Sequence, residues 1–146
     1  MTQDSSVFGC QIGTTDASVP LSMRVVLNGQ VVLEILHVTE TVHFEYTIPD
    51  GEQEYTFAFE MSGKTADHTK LDNHGNIIKD ACLTVLHMNF DKIDIGNILT
   101  SAAKYTHNFN GCGEDVVEKF YGDMGCNGQV TLKFSSPIYL WLLESM

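Results

Sequence analysis

The chain has 146 residues, of which 18% are charged, and a formal net charge of −11. A chain of this length has the size of one domain with a single core, and we expect one domain over residues 1–146. Because 19 acidic residues face only 8 lysines and arginines, the surface has the wrong sign for nucleic acid, which is excluded as a partner.

The N-terminal stretch MTQDSSVFGCQIGTTDAS has neither the basic start nor the apolar run of a secretory signal peptide. The longest apolar run in the chain is IYLWLL, which is far shorter than the roughly 20 residues needed to span a bilayer. We therefore expect a protein that is made in the cytoplasm without a signal peptide and is not inserted into a membrane.

The four cysteines, Cys10, Cys82, Cys112 and Cys126, form no Cys-x-x-Cys pair. This spacing predicts reduced thiols. The alternative for the two later cysteines is a structural zinc site with His107, because both are flanked by glycine and the histidine is near in sequence.

Two hairpins are predicted in the first 61 residues. In LSMRVVLNGQVVLEIL, two β-branched runs flank Asn28-Gly29, the pair that best fits a type I′ turn, which predicts strands at 21–27 and 30–36. In TVHFEYTIPDGEQEYTFAFEM, apolar and polar residues alternate on both sides of a Pro-Asp-Gly turn. This pattern predicts a second hairpin, each strand of which buries one face.

Residues 81–90 carry apolar side chains at both alternating sets of positions, which predicts a central strand buried on both faces: Cys82, Leu86, Met88 and Phe90 in one set, Leu83 and Val85 in the other. Short strands are predicted at 104–109 and 116–121, a helical turn at 97–104 and a last strand through Val130 and Phe134. The tail at 138–144 fits either a strand or a helix. Eight or nine strands separated by turns predict an all-β fold, an antiparallel β-sandwich of jelly-roll type.

The loop between Leu71 and Asp80 is rich in oxygen donors. Asp72, Asn73, Asn76 and Asp80 offer the hard oxygen ligands that Ca²⁺ prefers, on a segment that turns at Gly75. The same residues suit a plain hairpin turn, because Asn and Gly tolerate left-handed backbone. The spacing does not match the calcium loop of an EF-hand. Both interpretations of the loop stay open.

The segment VPLSMRVVLNGQVV, followed later by DACLTV, resembles the calcium-dependent xylan-binding family of carbohydrate-binding modules over residues 18–90. The positions that follow the family pattern in order are Pro20, Val26, Gly29, Asp80, Leu83 and Val85. The resemblance implies a β-sandwich with a calcium ion and a sugar site near Asp80. The Arg-Asn, Tyr and closing Asp of the family are Ala81-Cys82, Thr84 and Leu86 in this chain. Asp80 alone keeps a ligand-type side chain.

The C-terminal half resembles small uncharacterised proteins encoded by phages of cyanobacteria, which implies a phage source. Its turn-rich segment holds two candidate platforms for stacking a sugar ring, Tyr105 and Tyr121. Trp141 lies among leucines, which predicts burial in the core or in a subunit contact. The apolar tail must be covered by the domain or by another chain, so a homo-oligomer or an assembly component is expected.

Together these features predict a non-catalytic recognition module that binds a glycan, with Ca²⁺ as the candidate cofactor and a phage particle as the place of display. Asp72, Asn73 and Asn76 would bind the glycan, Tyr105 or Tyr121 would stack on it, and Asp72 and Asp80 would hold the metal. The alternative is a structural virion protein, a capsid or tail decoration subunit whose partners are other protein subunits. No sequence motif of a known catalytic site is present, and the 6 histidines are scattered, so no enzyme is predicted.

Overall fold

The computed structural model describes residues 5–49, 51–65, 69–71, 73–74, 77–111 and 113–145. Within them lie thirteen strands and two helices in the order β1 (Ser5–Thr14), β2 (Ser22–Leu27), β3 (Gln30–Ile35), β4 (Val42–Pro49), β5 (Gln53–Ser62), β6 (Thr69–Leu71), β7 (Ile77–Asp80), β8 (Leu83–Phe90), β9 (Ile93–Asp94), α1 (Gly96–Ala102), β10 (Ala103–His107), β11 (Val116–Lys119), β12 (Asp123–Met124), β13 (Gly128–Ser136) and α2 (Ile138–Ser145).

Two antiparallel sheets make up most of the fold. The first sheet has the strand order β12-β8-β1-β4, with β9 also paired to β8. The second sheet has the order β11-β10-β13-β5-β2-β3, and β6 and β7 form a separate hairpin. All of the described strand pairs are antiparallel. The predicted antiparallel β-sandwich is confirmed.

The core lies between the two sheets and is dominated by aromatic rings. The ring of Phe8 on β1 lies 4.6 Å from the ring of Phe57 on β5, between centroids. Phe90 on β8 lies 5.0 Å from Phe134 on β13. Each pair joins a ring of the first sheet to a ring of the second sheet, and all four rings are buried. Burial of such large apolar surfaces is the main driving force for the two sheets to pack.

The hairpin at Asn28-Gly29 is confirmed. Both turn residues adopt positive φ, 49° for Asn28 and 83° for Gly29, as a type I′ turn requires. The Asn28 side chain also ties the turn to β5, because its Oδ1 accepts a hydrogen bond from the Thr56 amide at 2.9 Å. The local sequence signal therefore predicts the turn, while the pairing of β2 and β3 shifts its register between Val25 and Val26.

The second predicted hairpin is wrong, although both of its strands exist. β4 pairs with β1, with Phe44 opposite Cys10, whereas β5 pairs with β2 and β13. The chain thus crosses from one sheet to the other at residues 49–53. Alternating polarity specifies which face of a strand is buried and leaves its partner open. The partner of β4 is β1, a strand that the sequence analysis did not predict.

β8 is an inner strand of the first sheet, but the prediction of two buried faces is wrong. Leu83 and Val85 point into the core. Met88, three residues after Val85, and Phe90 also point into the core. The inward-pointing residues switch from odd-numbered to even-numbered positions because of a β-bulge. The bulge is seen where the pairing with β1 shifts between Gly9 and Gln11. His87 takes the extra position with φ 57°, in the left-handed region that histidine tolerates better than most residues.

The tail forms α2, so the strand alternative for residues 138–144 is wrong. Trp141 is half-buried, and its ring lies 5.7 Å from Phe90 and 6.0 Å from Phe134. The predicted contact of Trp141 with the core is confirmed, although the side chain is only partly buried. Leu140 and Leu143 remain exposed on the other side of the helix. Across the described residues, neither helix combines the length and apolar character that a membrane-crossing helix needs.

Candidate functional site

The outer face of β1 alternates side chains with glycines. Phe8, Cys10 and Ile12 point into the core, so the alternate residues face outward, namely Val7, Gly9, Gln11 and Gly13. A Cβ at Gly9 would lie 3.2 Å from the Asn89 amide, so the outer side of this residue is closely approached by a neighbouring side chain. β1 runs between β4 and β8 and forms the floor of a trough, in which the backbone is uncovered by a side chain of its own at Gly9.

The walls of the trough come from the two neighbouring strands. Glu45 on β4 and Asn89 on β8 both lie opposite Gly9, and Glu45 is exposed. The Asn89 Nδ2 donates to the Gly9 carbonyl at 3.1 Å and to the His87 carbonyl at 2.8 Å, and its Oδ1 accepts from the Lys92 amide at 3.2 Å. These bonds hold the Asn89 side chain in one orientation.

One end of the trough is closed by the turn after β8 and by α2. The Asp91 Oδ1 accepts a hydrogen bond from the Val7 amide at 2.7 Å, and its Oδ2 accepts one from the Tyr139 hydroxyl at 2.7 Å. Burial raises the pKa of Asp91, but the hydrogen bonds from Val7 and Tyr139 outweigh it, so the net pKa is below the ordinary value. Asp91 is therefore a stable carboxylate that fixes the Tyr139 ring.

Two cavities with shared lining residues make up the trough. The wider one, about 350 Å³, is lined by residues that include Val7, Asp91 and Tyr139. The narrower one, about 160 Å³, is lined by residues that include His43 and His87. The two cavities share three lining residues, namely Glu45, Asn89 and Lys92. The wider cavity has a volume in the range typical of small-molecule sites.

The predicted loop residues do not come together with the trough in the described part of the chain. Asn73 is exposed in the hairpin of β6 and β7. Asp72 and Asn76 lie outside the described residues, and so does the side chain of Asp80, whose backbone ends β7. The predicted glycan and metal roles of the loop stay predictions.

The two predicted stacking residues differ sharply in exposure. Tyr121 is 76% exposed, as a sugar platform requires. Tyr105 is 6% exposed, and its hydroxyl accepts a hydrogen bond from the Cys126 amide at 2.8 Å and donates one to the Cys126 carbonyl. The ring of Tyr105 is thus closed to a sugar, and the residue anchors the loop before β13. Burial raises the pKa of Tyr105 above its ordinary range.

Within the described ranges, no group of three or more His, Cys, Asp or Glu side chains is placed to hold a metal ion. The predicted calcium ligand Asp72 and the predicted zinc ligand Cys112 both lie outside those ranges. Among the described cysteines, Cys10, Cys82 and Cys126 form no disulfide.

Sequence reasoning missed the trough because it did not assign β1. A signal was present in VFGCQIGT, where Gly9 and Gly13 alternate with Phe8, Cys10 and Ile12. Alternation of apolar residues with glycines marks a strand that is packed on one face and open to a close approach on the other.

No family model matches the chain, and no curated protein matches it. Among solved structures, the chain is similar to the selenomethionine form of vCBM60, described in terms of a circular permutation that links two families of calcium-dependent carbohydrate-binding modules. The alignment covers 87% of this chain and 89% of that chain, with 11% sequence identity and a TM-score of 0.44.

Proposed function

We propose that the protein is a non-catalytic recognition module that binds a glycan in the trough across β4, β1 and β8. The observation that carries the proposal is the wider cavity, in which the Tyr139 ring lies among Glu45, Asn89, Asp91 and Lys92. One aromatic face thus stands beside carboxylate, amide and ammonium groups.

This combination suits a sugar ring, which has an apolar C–H face and a rim of hydroxyl groups. Tyr139 is 48% exposed, so its ring is available for the apolar face. Glu45 supplies acceptors for hydroxyl protons, and Lys92 supplies donors to hydroxyl oxygens. Since the hydrogen bond to Asp91 holds the phenol in place, little side-chain freedom is lost when a ligand binds.

A glycan array followed by calorimetry tests the proposal. Tyr139→Ala should weaken binding of the best ligand about tenfold or more, because the stacking face is lost. Glu45→Gln should weaken it less, by removing the charge and keeping the shape. Glu34→Gln is the matched control, because Glu34 is an exposed glutamate on β3 of the second sheet. Absence of binding to any glycan, or wild-type affinity in Tyr139→Ala, would overturn the proposal.

The predicted loop site is tested in the same assay. If Asp72 and Asp80 hold Ca²⁺ and Asn73 and Tyr121 bind the glycan, a chelator lowers both the affinity and the melting temperature. Tyr121→Ala then weakens binding more than Tyr139→Ala does. A larger loss of affinity in Tyr139→Ala than in Tyr121→Ala, together with no effect of chelator, assigns the glycan to the trough.

The proposal includes display on a phage particle. The only support for this part is the resemblance of the C-terminal half to proteins encoded by phages. The alternative, a structural virion subunit without a small ligand, predicts incorporation into particles together with no glycan binding. An antibody against the chain, applied to purified particles of the source phage, separates the two outcomes when it is combined with the array.

A further inference from the structure

We propose that the narrower end of the trough, between His43 and His87, binds the negatively charged group of an acidic glycan, either a carboxylate or a sulfate. The inference rests on the proposed function, which it extends from glycans in general to acidic glycans. The ligand would place a sugar ring against Tyr139 and its charged group further along β1, at the level of Gln11.

The two imidazoles reach the same level of the sheet from opposite sides. His43 on β4 lies opposite Gln11 of β1, and Leu86, which precedes His87, lies opposite Gln11 on the β8 side. Both histidines are exposed and line the cavity of about 160 Å³. A cavity of this size holds a carboxylate or sulfate group with room for solvent.

The bulge in β8 is what brings His87 to this face. In a regular strand, a residue two positions after the buried Val85 would also point into the core. The extra residue at the bulge turns His87 outward and returns Met88 to the core. Bulges commonly re-aim a side chain at functional sites, and here the re-aimed side chain is an imidazole.

The charges around the narrower end favour an anion once the imidazoles are protonated. Among the lining groups, β4 contributes His43 and Glu45, β8 contributes His87, and the following turn contributes Asp91 and Lys92. Outside the lining, the strands beside β8 carry two exposed acids, Asp94 on β9 opposite Asn89 and Asp123 on β12 opposite Thr84. The outer face of β1 carries no charged residue. The Cys10 thiol points into the core, and burial raises its pKa to about 12, so it adds no charge at this end of the trough.

Histidine is the side chain that ordinarily gains a proton as the pH falls from 8 to 5. With neutral imidazoles, the charged groups that line the two cavities comprise two carboxylates and one ammonium. Protonation of both imidazoles adds two positive charges and makes this lining net positive. The chain as a whole has only 8 lysines and arginines and a net charge of −11, so the rest of the surface repels an acidic glycan. Local positive charge should therefore control where and at which pH the ligand binds.

The test compares three oligosaccharides of equal length, one neutral, one with uronic acids and one with sulfate esters, by calorimetry at pH 5.5 and pH 7.5. Both acidic groups stay ionised at the lower pH, since a carboxyl group titrates near pH 4. We expect the acidic ligands to bind about tenfold more tightly at pH 5.5 than at pH 7.5. The neutral ligand should show no such change. The relative affinity for uronic acid and sulfate identifies which group the site prefers.

Two variants assign the effect. His43→Gln combined with His87→Asn should abolish the pH dependence of the affinity for the acidic ligands; Asn is chosen because it tolerates the positive φ of residue 87. His37→Gln is the control, since His37 contacts the Ala17 carbonyl at 2.8 Å and does not line the trough. Equal affinity for neutral and acidic ligands at both pH values would overturn this inference and leave the proposed function intact. Failure of all three ligands, together with an empty glycan array, would overturn the proposed function itself.

Discussion

Cys10 lies 4% exposed on the inner face of β1, where burial raises the pKa of its thiol to about 12. An unfolded cysteine titrates near pH 8.5, so between about pH 8.5 and pH 12 only the unfolded chain gives up this proton. The stability contribution is complete below about pH 8.5 and is lost as the pH rises through that window.

We therefore expect the free energy of unfolding of the wild type to fall between pH 8.5 and pH 10, and to fall less steeply in Cys10→Ala. Urea titrations at several pH values in this range measure the two slopes. The variant has a lower absolute stability because a side chain is removed from the core, so the comparison concerns the slopes alone. Parallel pH profiles for the two proteins would contradict the prediction.

Tyr105→Phe should destabilise the fold by about 1–3 kcal/mol, because the Cys126 amide loses its hydrogen-bond acceptor in a half-buried loop. Urea unfolding measures the loss. Tyr121→Phe is the matched control, since Tyr121 is 76% exposed and its change should stay within about 0.5 kcal/mol. Equal effects of the two variants would show that the Tyr105 hydroxyl does not anchor the loop.

At the scale of elements, the turn between β2 and β3 allows the effect of backbone conformation to be isolated. A Cβ added at Gly29 or at Gly51 meets no atom within 4 Å, but only Gly29 has positive φ, at 83°. We expect Gly29→Ala to cost about 1–2 kcal/mol and Gly51→Ala to be close to neutral. Thermal unfolding of both variants measures the difference. A similar loss in both would point to a cause other than φ.

The bulge in β8 gives a second test of backbone conformation. His87→Val should destabilise the protein by about 1–2 kcal/mol, because a β-branched residue is strained at the φ of 57°. His43→Val on β4 is the control, and it should cost little because β-branched residues suit regular strands. Urea unfolding of both variants is the measurement. Comparable stability of the two would indicate that residue 87 leaves the left-handed region without cost.

These elements show what the sequence could predict and why the rest was missed. The Asn28-Gly29 hairpin was predictable because its signal lies within the turn itself. The partner of β4 was not, since β1 and β4 are distant in sequence and alternation does not encode pairing. The bulge at His87 was not predicted because one extra residue shifts the apolar positions along the strand. In the sequence, this shift gives the same pattern as a strand buried on both faces. The trough depends on both missed features, so it could not be predicted.

At the scale of the whole molecule, the cross-sheet aromatic core predicts that the protein unfolds as one unit. Trp141, the single tryptophan, packs on Phe90 of the first sheet and Phe134 of the second sheet. Its fluorescence and the circular dichroism of the strands should therefore change at the same urea concentration. Two separate midpoints would contradict a single domain.

The alternation along β1 also separates two kinds of evolutionary constraint. Core packing limits which residues can replace Phe8, Cys10 and Ile12. Contacts on the outer face limit which residues can replace Gly9 and Gln11. The positions around them, His43 and Glu45, face solvent and make no contribution to the buried core. Libraries that randomise Gln11, His43 and Glu45 should therefore yield folded proteins with altered ligand preference, and the trough becomes a surface that can be redesigned independently of stability.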